Sequence, residues 1–142
     1  VQRLLRLGLI ALLPLALWQL RAEIPAAALR LGDTRITRSV SADLQPAAAV
    51  TRISAESLHA EGLIAFAAVR APAGLAQEVE FVWRLRGAEI DRIPASISGG
   101  RAEGYRVYSR KHAFPTDPRG PWEVDLITPQ GQLICRLRFT VE

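Results

Sequence analysis

Apolar and polar residues alternate along much of the chain after residue 33, in short runs separated by turn-forming residues. The clearest run lies at the end of the chain, where an apolar set of residues alternates with a mostly polar set. The apolar set is Leu133, Cys135, Leu137, Phe139 and Val141, and the other set is Ile134, Arg136, Arg138 and Thr140. Apolar residues at every second position are typical of a β-strand with one face in the core.

This alternation predicts eight strands, at about residues 34–40, 50–54, 62–70, 78–86, 88–97, 104–111, 122–128 and 132–141. Proline and glycine occur between them, as in Arg86-Gly87 and Gly99-Gly100, and favour turns. Residues 47–60 are the one stretch that predicts a short helical turn. The spacing predicts an all-β, immunoglobulin-like β-sandwich of about 7–8 strands.

Two tryptophans are predicted to anchor the core. The inward-facing sets are Val79, Phe81, Trp83 and Leu85 on one strand, and Trp122, Val124 and Leu126 on another. Large aromatic side chains bury the most apolar area, although surface stacking on carbohydrate is the alternative role for either tryptophan. Cys135 lies in phase with the apolar set of its strand, which favours a buried thiol over a reactive one.

A different pattern occupies the start of the chain, where residues 4–20 are almost continuously apolar. Seventeen helical residues span roughly 25 Å, slightly less than a hydrocarbon core of about 30 Å. Arg3 and Arg6 at one end, and Trp18 and Arg21 at the other, suit the two membrane interfaces. We therefore expect a membrane anchor helix over residues 1–21, a linker over 22–33 and the sandwich over 34–142.

Other interpretations of the apolar run remain open. The chain is either a single-span protein or the tail of a longer multi-pass membrane protein. A secretory signal peptide is another reading, with small residues for cleavage at 26–28, although Arg21, Glu23 and Pro25 suit cleavage poorly. The third is a core helix of a soluble domain.

Charge lowers the expectation of a nucleic-acid partner. Three of the 18 basic residues lie in residues 1–21, so the remainder carries 15 basic against 14 acidic side chains. A nucleic-acid binder needs a concentrated basic face, because phosphate contacts supply most of its affinity. We expect no nucleic-acid partner.

Residue types that carry catalysis do not form a familiar arrangement. His59 and His112 are far apart and have no second ligand at metal-binding spacing. Ser109, His112 and Asp117 include the types of a hydrolytic triad, but the first two diverge on one strand and no nucleophile-elbow motif is present. We expect no enzyme activity, no metal and no cofactor.

Alternating arginine and tyrosine residues suggest a binding surface. Three strands carry them: Arg106, Tyr108 and Arg110 on one, Arg136 and Arg138 on the last, and Arg84 on an earlier one. If these strands are neighbours, one sheet presents a face able to bind carboxylate, phosphate or a protein. The alternative is a solvated face whose arginines pair with Glu78, Glu80, Glu123 and Asp125.

Five short motifs resemble a bacterial family catalogued as domain of unknown function 2914. They are Phe81-Val82-Trp83, Tyr105-Arg106-Val107-Tyr108-Ser109-Arg110-Lys111, Gly120-Pro121-Trp122-Glu123-Val124, Gly131-Gln132-Leu133 and Phe139-Thr140-Val141. The resemblance covers roughly residues 58–141, with Tyr105 where the family more often has Trp. It implies a domain that follows membrane-spanning segments, and it transfers no catalytic residue.

Together these features predict a membrane-anchored, non-catalytic binding or scaffolding module on the envelope side of a bacterial inner membrane. We expect a single span, the sandwich in the periplasm, and a membrane or envelope protein as partner. The alternative function is binding of an anionic or carbohydrate envelope component.

Overall fold

A computed structural model of the chain describes residues 29–72, 76–100, 102 and 104–142. Its elements are β1 (Arg30–Thr37), β2 (Arg52–Ile53), α1 (Ala55–Glu61), β3 (Leu63–Arg70), β4 (Ala76–Leu85), β5 (Ala88–Ser98), β6 (Tyr105–Lys111), β7 (Gly120–Ile127) and β8 (Leu133–Val141). The mostly β prediction and the eight strands are therefore confirmed. The main shift is in β1, which begins at Arg30 instead of Thr34.

The expected anchor helix lies in residues 1–21, outside the described residues. Within the described part of the chain, no helix is both long enough and apolar enough to cross a membrane.

The strands form two sheets. The three-stranded sheet has the order β1-β3-β6, and both of its pairings are antiparallel. The five-stranded sheet has the order β2-β8-β7-β4-β5, in which only β2 pairs in parallel. Arg86 (φ 50°) and Gly87 (φ 83°) make the tight turn between β4 and β5, and two successive residues with positive φ are typical of a type I′ hairpin.

Helix α1 is short and closed at both ends. The Ser54 hydroxyl accepts a hydrogen bond from the backbone N–H of Ser57, which caps the first turn. Gly62 ends the helix with φ 71°. A Cβ atom there would lie 2.6 Å from both the His112 ring and the Lys111 carbonyl oxygen, so only glycine fits.

The inner faces of both sheets contribute to one hydrophobic core. Trp83 and Trp122 are fully buried within it, as predicted. The ring of Phe139 lies 6.3 Å from that of Trp83, edge to face, and stacks on Trp122 at 5.7 Å. Cys135 is also buried in this core, which confirms its predicted placement.

One prediction for the core was wrong. Leu133 was expected inside, but 49% of its surface is exposed. Leu126 pairs with Cys135 while Ile127 pairs with Leu133, so Ile134 is an extra residue that forms a β-bulge. A bulge reverses the alternation beyond it, which places Leu133 on the outer face and packs Ile134 against the core.

Candidate binding surface

The six arginine and tyrosine residues predicted as a binding face lie on two different sheets. Arg106, Tyr108 and Arg110 belong to β6, in the three-stranded sheet. Arg84 is on β4, and Arg136 and Arg138 are on β8, with β7 between these two strands of the five-stranded sheet. The structure therefore brings together two groups of three and does not join them in one sheet.

On the five-stranded sheet, a chain of ion pairs crosses the outer face. We call it the arginine network, and its members in spatial order are Arg138, Glu123, Arg136, Asp125, Arg84, Glu89, Arg92 and Glu80. Glu80, Glu123 and Asp125 were expected as partners of these arginines. Glu78 was expected too but is not a member of the network, which instead includes Glu89.

Asp125 is the centre of the arginine network. Only 3% of its surface is exposed, yet it sits between two cations. The Arg84 guanidinium donates to one of its oxygens at 2.6 Å, and Arg136 donates to both oxygens at 2.6 and 2.9 Å. The hydrogen bonds that Arg136 donates to the Asp125 carboxylate raise the pKa of Arg136 above its ordinary value. Asp125 is thus fully occupied as an acceptor of charged donors.

The arginine network also covers apolar surface. Val82 points outward between Arg92 and Asp125 in the register, and it is nevertheless completely buried. Arginine stems shield such a residue while their charged ends remain near water. The arginines of this face are therefore engaged in contacts within the domain itself.

On the outer face of the three-stranded sheet, the strand beside β6, which is β3, carries no carboxylate. Tyr108 on β6 lies opposite Phe66 on β3, and Arg110 lies opposite Ile64 on the same strand. Phe66 and Ile64 point away from the main core but are each only 1% exposed. Something other than the core must therefore cover them.

The connection between β1 and β2 provides this cover. Arg35 on β1 donates to the carbonyl of Ala47, and Arg106 on β6 donates to the carbonyl of Asp43 at 3.0 Å. These two strands flank β3, so residues 38–50, which we call the cover segment, pass over its outward side chains. Arg106, which the sequence placed in the binding face, therefore binds a segment of its own chain.

Tyr108 and Arg110 remain outside this contact. The tyrosine is 43% exposed, and the arginine is exposed beside it on the same strand face. Within the described residues Arg110 has no ion pair. These two side chains form the exposed part of the predicted face that takes no part in an ion pair within the described residues, and we call them the Tyr108–Arg110 surface.

The inward side chains of β6 have structural partners that the sequence reasoning missed. Ser109 is buried and accepts a hydrogen bond from the Trp83 indole N–H at 3.1 Å. Lys111 is 5% exposed, yet its ammonium donates to Asp91 at 2.6 Å and lies 5.5 Å from the centre of the Phe114 ring. The hydrogen bond from Lys111 lowers the pKa of Asp91.

A signal for this pair was present in the sequence. Lys111 is the one lysine among 18 basic residues and lies in the inward phase of its strand. The compact ammonium group of lysine, on its flexible stem, can reach Asp91 on β5 from inside the fold. The guanidinium of arginine is planar and bulkier, so it would need a different geometry.

The thiol of Cys135 is withdrawn from solvent. Burial raises the pKa of the Cys135 thiol to about 11. No cluster of three or more His, Cys, Asp or Glu side chains suited to a metal occurs in the part of the chain that the structure describes.

Two shallow cavities open on the surface. One of about 320 Å³ is lined by acidic and small residues that include Glu78, Glu80 and Ser96. The other, of about 390 Å³, lies between Arg38 and Arg52, whose charges pair with Glu61 and Glu142. Neither cavity contains the Tyr108–Arg110 surface.

Comparison with known families gives two adjacent matches. Residues 76–141 match the model of a protein of unknown function, DUF2914, which begins later than the start near residue 58 expected from the motifs. Residues 1–65 match a second family of unknown function, DUF5924, which the motifs did not indicate. No curated protein matches the chain. The resemblance to DUF2914 drawn from the motifs is therefore confirmed over residues 76–141, and the DUF5924 match covers residues 1–65.

Proposed function

We propose that this protein is a membrane-anchored, non-catalytic binding or scaffolding module that contacts an envelope protein through the Tyr108–Arg110 surface. The observation that carries the proposal is the contrast among its arginines. Arg84, Arg136 and Arg138 are held in the arginine network, whereas Arg110 is exposed beside an exposed tyrosine.

The chemistry of this surface suits a protein partner. Tyrosine and arginine are enriched among the residues that contribute most to protein–protein binding. They project from a strand, so they present a flat surface instead of a pocket. The two cavities offer less to an anionic ligand, because one is acidic and the arginines of the other are already paired.

A non-catalytic role agrees with what the chemically capable side chains contact. The Ser109 hydroxyl binds Trp83, the Lys111 ammonium binds Asp91, and the Cys135 thiol is buried with a raised pKa. Each of these groups makes a structural contact, and none of the three lines either of the two surface cavities described above.

The strand order supports an immunoglobulin-like sandwich. Strands β1-β3-β6 take the places of A, B and E, while β5-β4-β7-β8 take those of C′, C, F and G. Trp83 lies on the strand that corresponds to C, where immunoglobulin domains place a buried tryptophan. Such domains commonly present binding surfaces on a rigid scaffold.

The membrane anchor is proposed from the sequence, since residues 1–28 lie outside the described part. The run 4–20 is apolar and follows Arg3 and Arg6. Basic residues before a span favour a cytoplasmic N-terminus, which puts the sandwich in the periplasm of a single-span protein. In a longer multi-pass protein, the same run would be the last span.

Photo-crosslinking tests the binding surface. A photo-crosslinking residue replaces Tyr108 in the full chain, which is expressed in the membranes of its native host. In a separate control protein, the crosslinking residue replaces Thr140 on the other sheet. We expect defined crosslinked products only from position 108, and their loss when Arg110→Ser is added. Arg138→Ser is the matched control and should leave them. Identical products from both positions would refute the assignment of the surface.

Topology is tested separately with reporter fusions after Glu142. A reporter active only in the periplasm should give signal in the fusion. Activity of a cytoplasmic reporter alone would overturn the proposed location of the domain.

A further inference from the structure

One end of the fold gathers exposed basic and apolar side chains that the proposed function does not use. Strand β1 begins there, β3 ends there, and the turn 128–132 joins β7 to β8 there. The antiparallel pairings place the starts of β1 and β8 at this same end, and the two strands contact each other. We call this the entry end, and its exposed side chains include Arg30, Leu31, Arg70 and Leu133. Pro129 of its turn borders the cavity that Glu78 and Glu80 line.

Two arginines face each other at the entry end. Arg30 on β1 is the direct register partner of Arg70 on β3, and both are exposed. Neither has an acidic partner within the described residues. Like charges directly opposite on neighbouring strands are destabilising, so this pair has a local cost that an external anion would offset.

Exposed leucines accompany the arginines. Leu31 is 47% exposed and Leu133 is 49% exposed, and they are two of the four large hydrophobic residues that the described surface exposes. Leu133 is exposed because of the bulge at Ile134, which turns it away from the core. Basic and apolar side chains together are the composition of surfaces that lie on anionic membranes.

The chain also limits how far this end can be from a membrane. Arg30 lies ten positions after Leu20, the end of the apolar run. A fully extended chain of that length spans at most about 35 Å. If residues 4–20 cross the bilayer, the start of β1 must stay within about 35 Å of the end of the span, which lets the entry end reach the lipid headgroups.

We infer that the entry end docks on the headgroups of anionic phospholipids, with Arg30 and Arg70 at the phosphates and Leu31 and Leu133 at the interface. The inference rests on the proposed membrane anchor. Docking fixes the orientation of the domain, which leaves the Tyr108–Arg110 surface on the side of the sandwich and open to a neighbouring protein.

Fluorescence quenching in nanodiscs tests the docking on the full chain. Because Cys135 is buried, a cysteine introduced by Gln132→Cys is the accessible thiol for a fluorescent label at the entry end. Ala60→Cys, on α1 at the opposite end, gives the matched control. Phosphatidylcholine carrying a nitroxide on its headgroup is the quencher, in discs with or without phosphatidylglycerol.

We expect quenching at position 132 in anionic discs, weaker quenching in zwitterionic discs, and little at position 60 in either. Arg30→Gln with Arg70→Gln should weaken docking by roughly thirtyfold, from the attraction of two cations to an anionic surface. Arg52→Gln with Arg119→Gln removes the same charge elsewhere and should have little effect. Salt at 1 M, where the screening length is about 3 Å, should also weaken quenching.

The outcomes separate this inference from the proposed function. Two results would refute the docking alone in a chain that enters the discs. One is equal quenching at positions 132 and 60, and the other is quenching at position 132 that Arg30→Gln with Arg70→Gln leaves unchanged. Equal quenching in anionic and zwitterionic discs refutes the role of charge. A chain that does not enter the discs refutes the anchor itself. Protection of Cys135 from labelling confirms that each variant is folded.

Discussion

The two outer faces of this domain begin from similar sequence patterns and differ in what their neighbouring strands supply. On the five-stranded sheet, Arg136 pairs in register with Asp125, Arg138 with Glu123, and Arg84 with Glu123. On the three-stranded sheet, Arg110 has Ile64 as its register partner. Arg84, Arg136 and Arg138 therefore pair with acids of a neighbouring strand, whereas Arg110 lies opposite an apolar residue and has no ion pair among the described residues.

The faces also bury their outward apolar residues in different ways. Val82 lies beneath the arginine network, whereas Phe66 lies beneath the cover segment, which Arg35 and Arg106 hold. One face is sealed by side chains of its own strands and the other by a separate stretch of chain. We expect the second to be more sensitive to loss of a single apolar side chain.

The largest expected effect tests this difference directly. Phe66→Ala should lower the free energy of unfolding by about 3–5 kcal/mol, because it removes a buried aromatic ring and leaves a cavity. Val82→Ala on the other face is a smaller change that removes fewer buried carbons, and it should cost about 1–2 kcal/mol. Urea denaturation measures both. A loss below about 1 kcal/mol for Phe66→Ala would mean that the cover segment does not pack on the ring.

Next in size is the loss of the central acid of the arginine network. Asp125→Ala should cost about 1–3 kcal/mol, since both of its arginines lose their main acceptor but can partly regain water. Glu123→Ala is the control, and it should cost less than about 1 kcal/mol because its partners are more exposed. Equal costs in thermal denaturation would show that burial of Asp125 is not what matters.

The pair between the sheets gives a smaller, pH-dependent effect. Asp91→Asn should cost about 1–2 kcal/mol at pH 7, because the buried ammonium of Lys111 loses its charged acceptor. The pKa of Asp91 is lowered in the folded state, so its contribution is complete above the unfolded pKa of about 4. This contribution is lost as the pH falls further, through the folded pKa.

Stability curves from pH 7 down to pH 2 check the sign. The native chain should lose more stability than Asp91→Asn as the pH falls below about 4, so the two curves should converge. Lys111→Met, which replaces the cation with an apolar chain, serves as the control and should remove the same pH-dependent difference. Parallel curves would mean that the pair does not contribute.

The smallest effect is expected at the Tyr108–Arg110 surface. Tyr108→Ser with Arg110→Ser should change stability by no more than about 0.5 kcal/mol each, as is usual for exposed residues without close contacts. Arg106→Ser should cost more than either, because its hydrogen bond to the cover segment is lost. Unfolding of the double variant would make these two side chains structural.

The two family matches do not divide the fold at a structural boundary. The DUF5924 match ends at residue 65, inside β3, and the DUF2914 match begins at residue 76, where β4 starts. Yet β3 pairs with β6, and β2 pairs with β8. Residues from both matches thus complete each sheet and share one core.

The sequence by itself determined the strands and much of the core. Their apolar alternation and the proline and glycine turns are local properties, so all eight strands could be placed to within a few residues, and the burial of Trp83, Trp122 and Cys135 followed from their phase. The exposed Leu133 was missed, because the bulge beside it depends on the register of β7 against β8.

Only the tertiary structure decided which strands are neighbours, and the candidate site depended on that. Alternation reveals that Arg84, Arg110 and Arg136 point outward, but it carries no information on the residue opposite each of them. That partner comes from a strand distant in sequence, placed by packing of the two sheets around one core. An aspartate opposite one arginine and an isoleucine opposite another therefore separated a structural ion pair from an available cation.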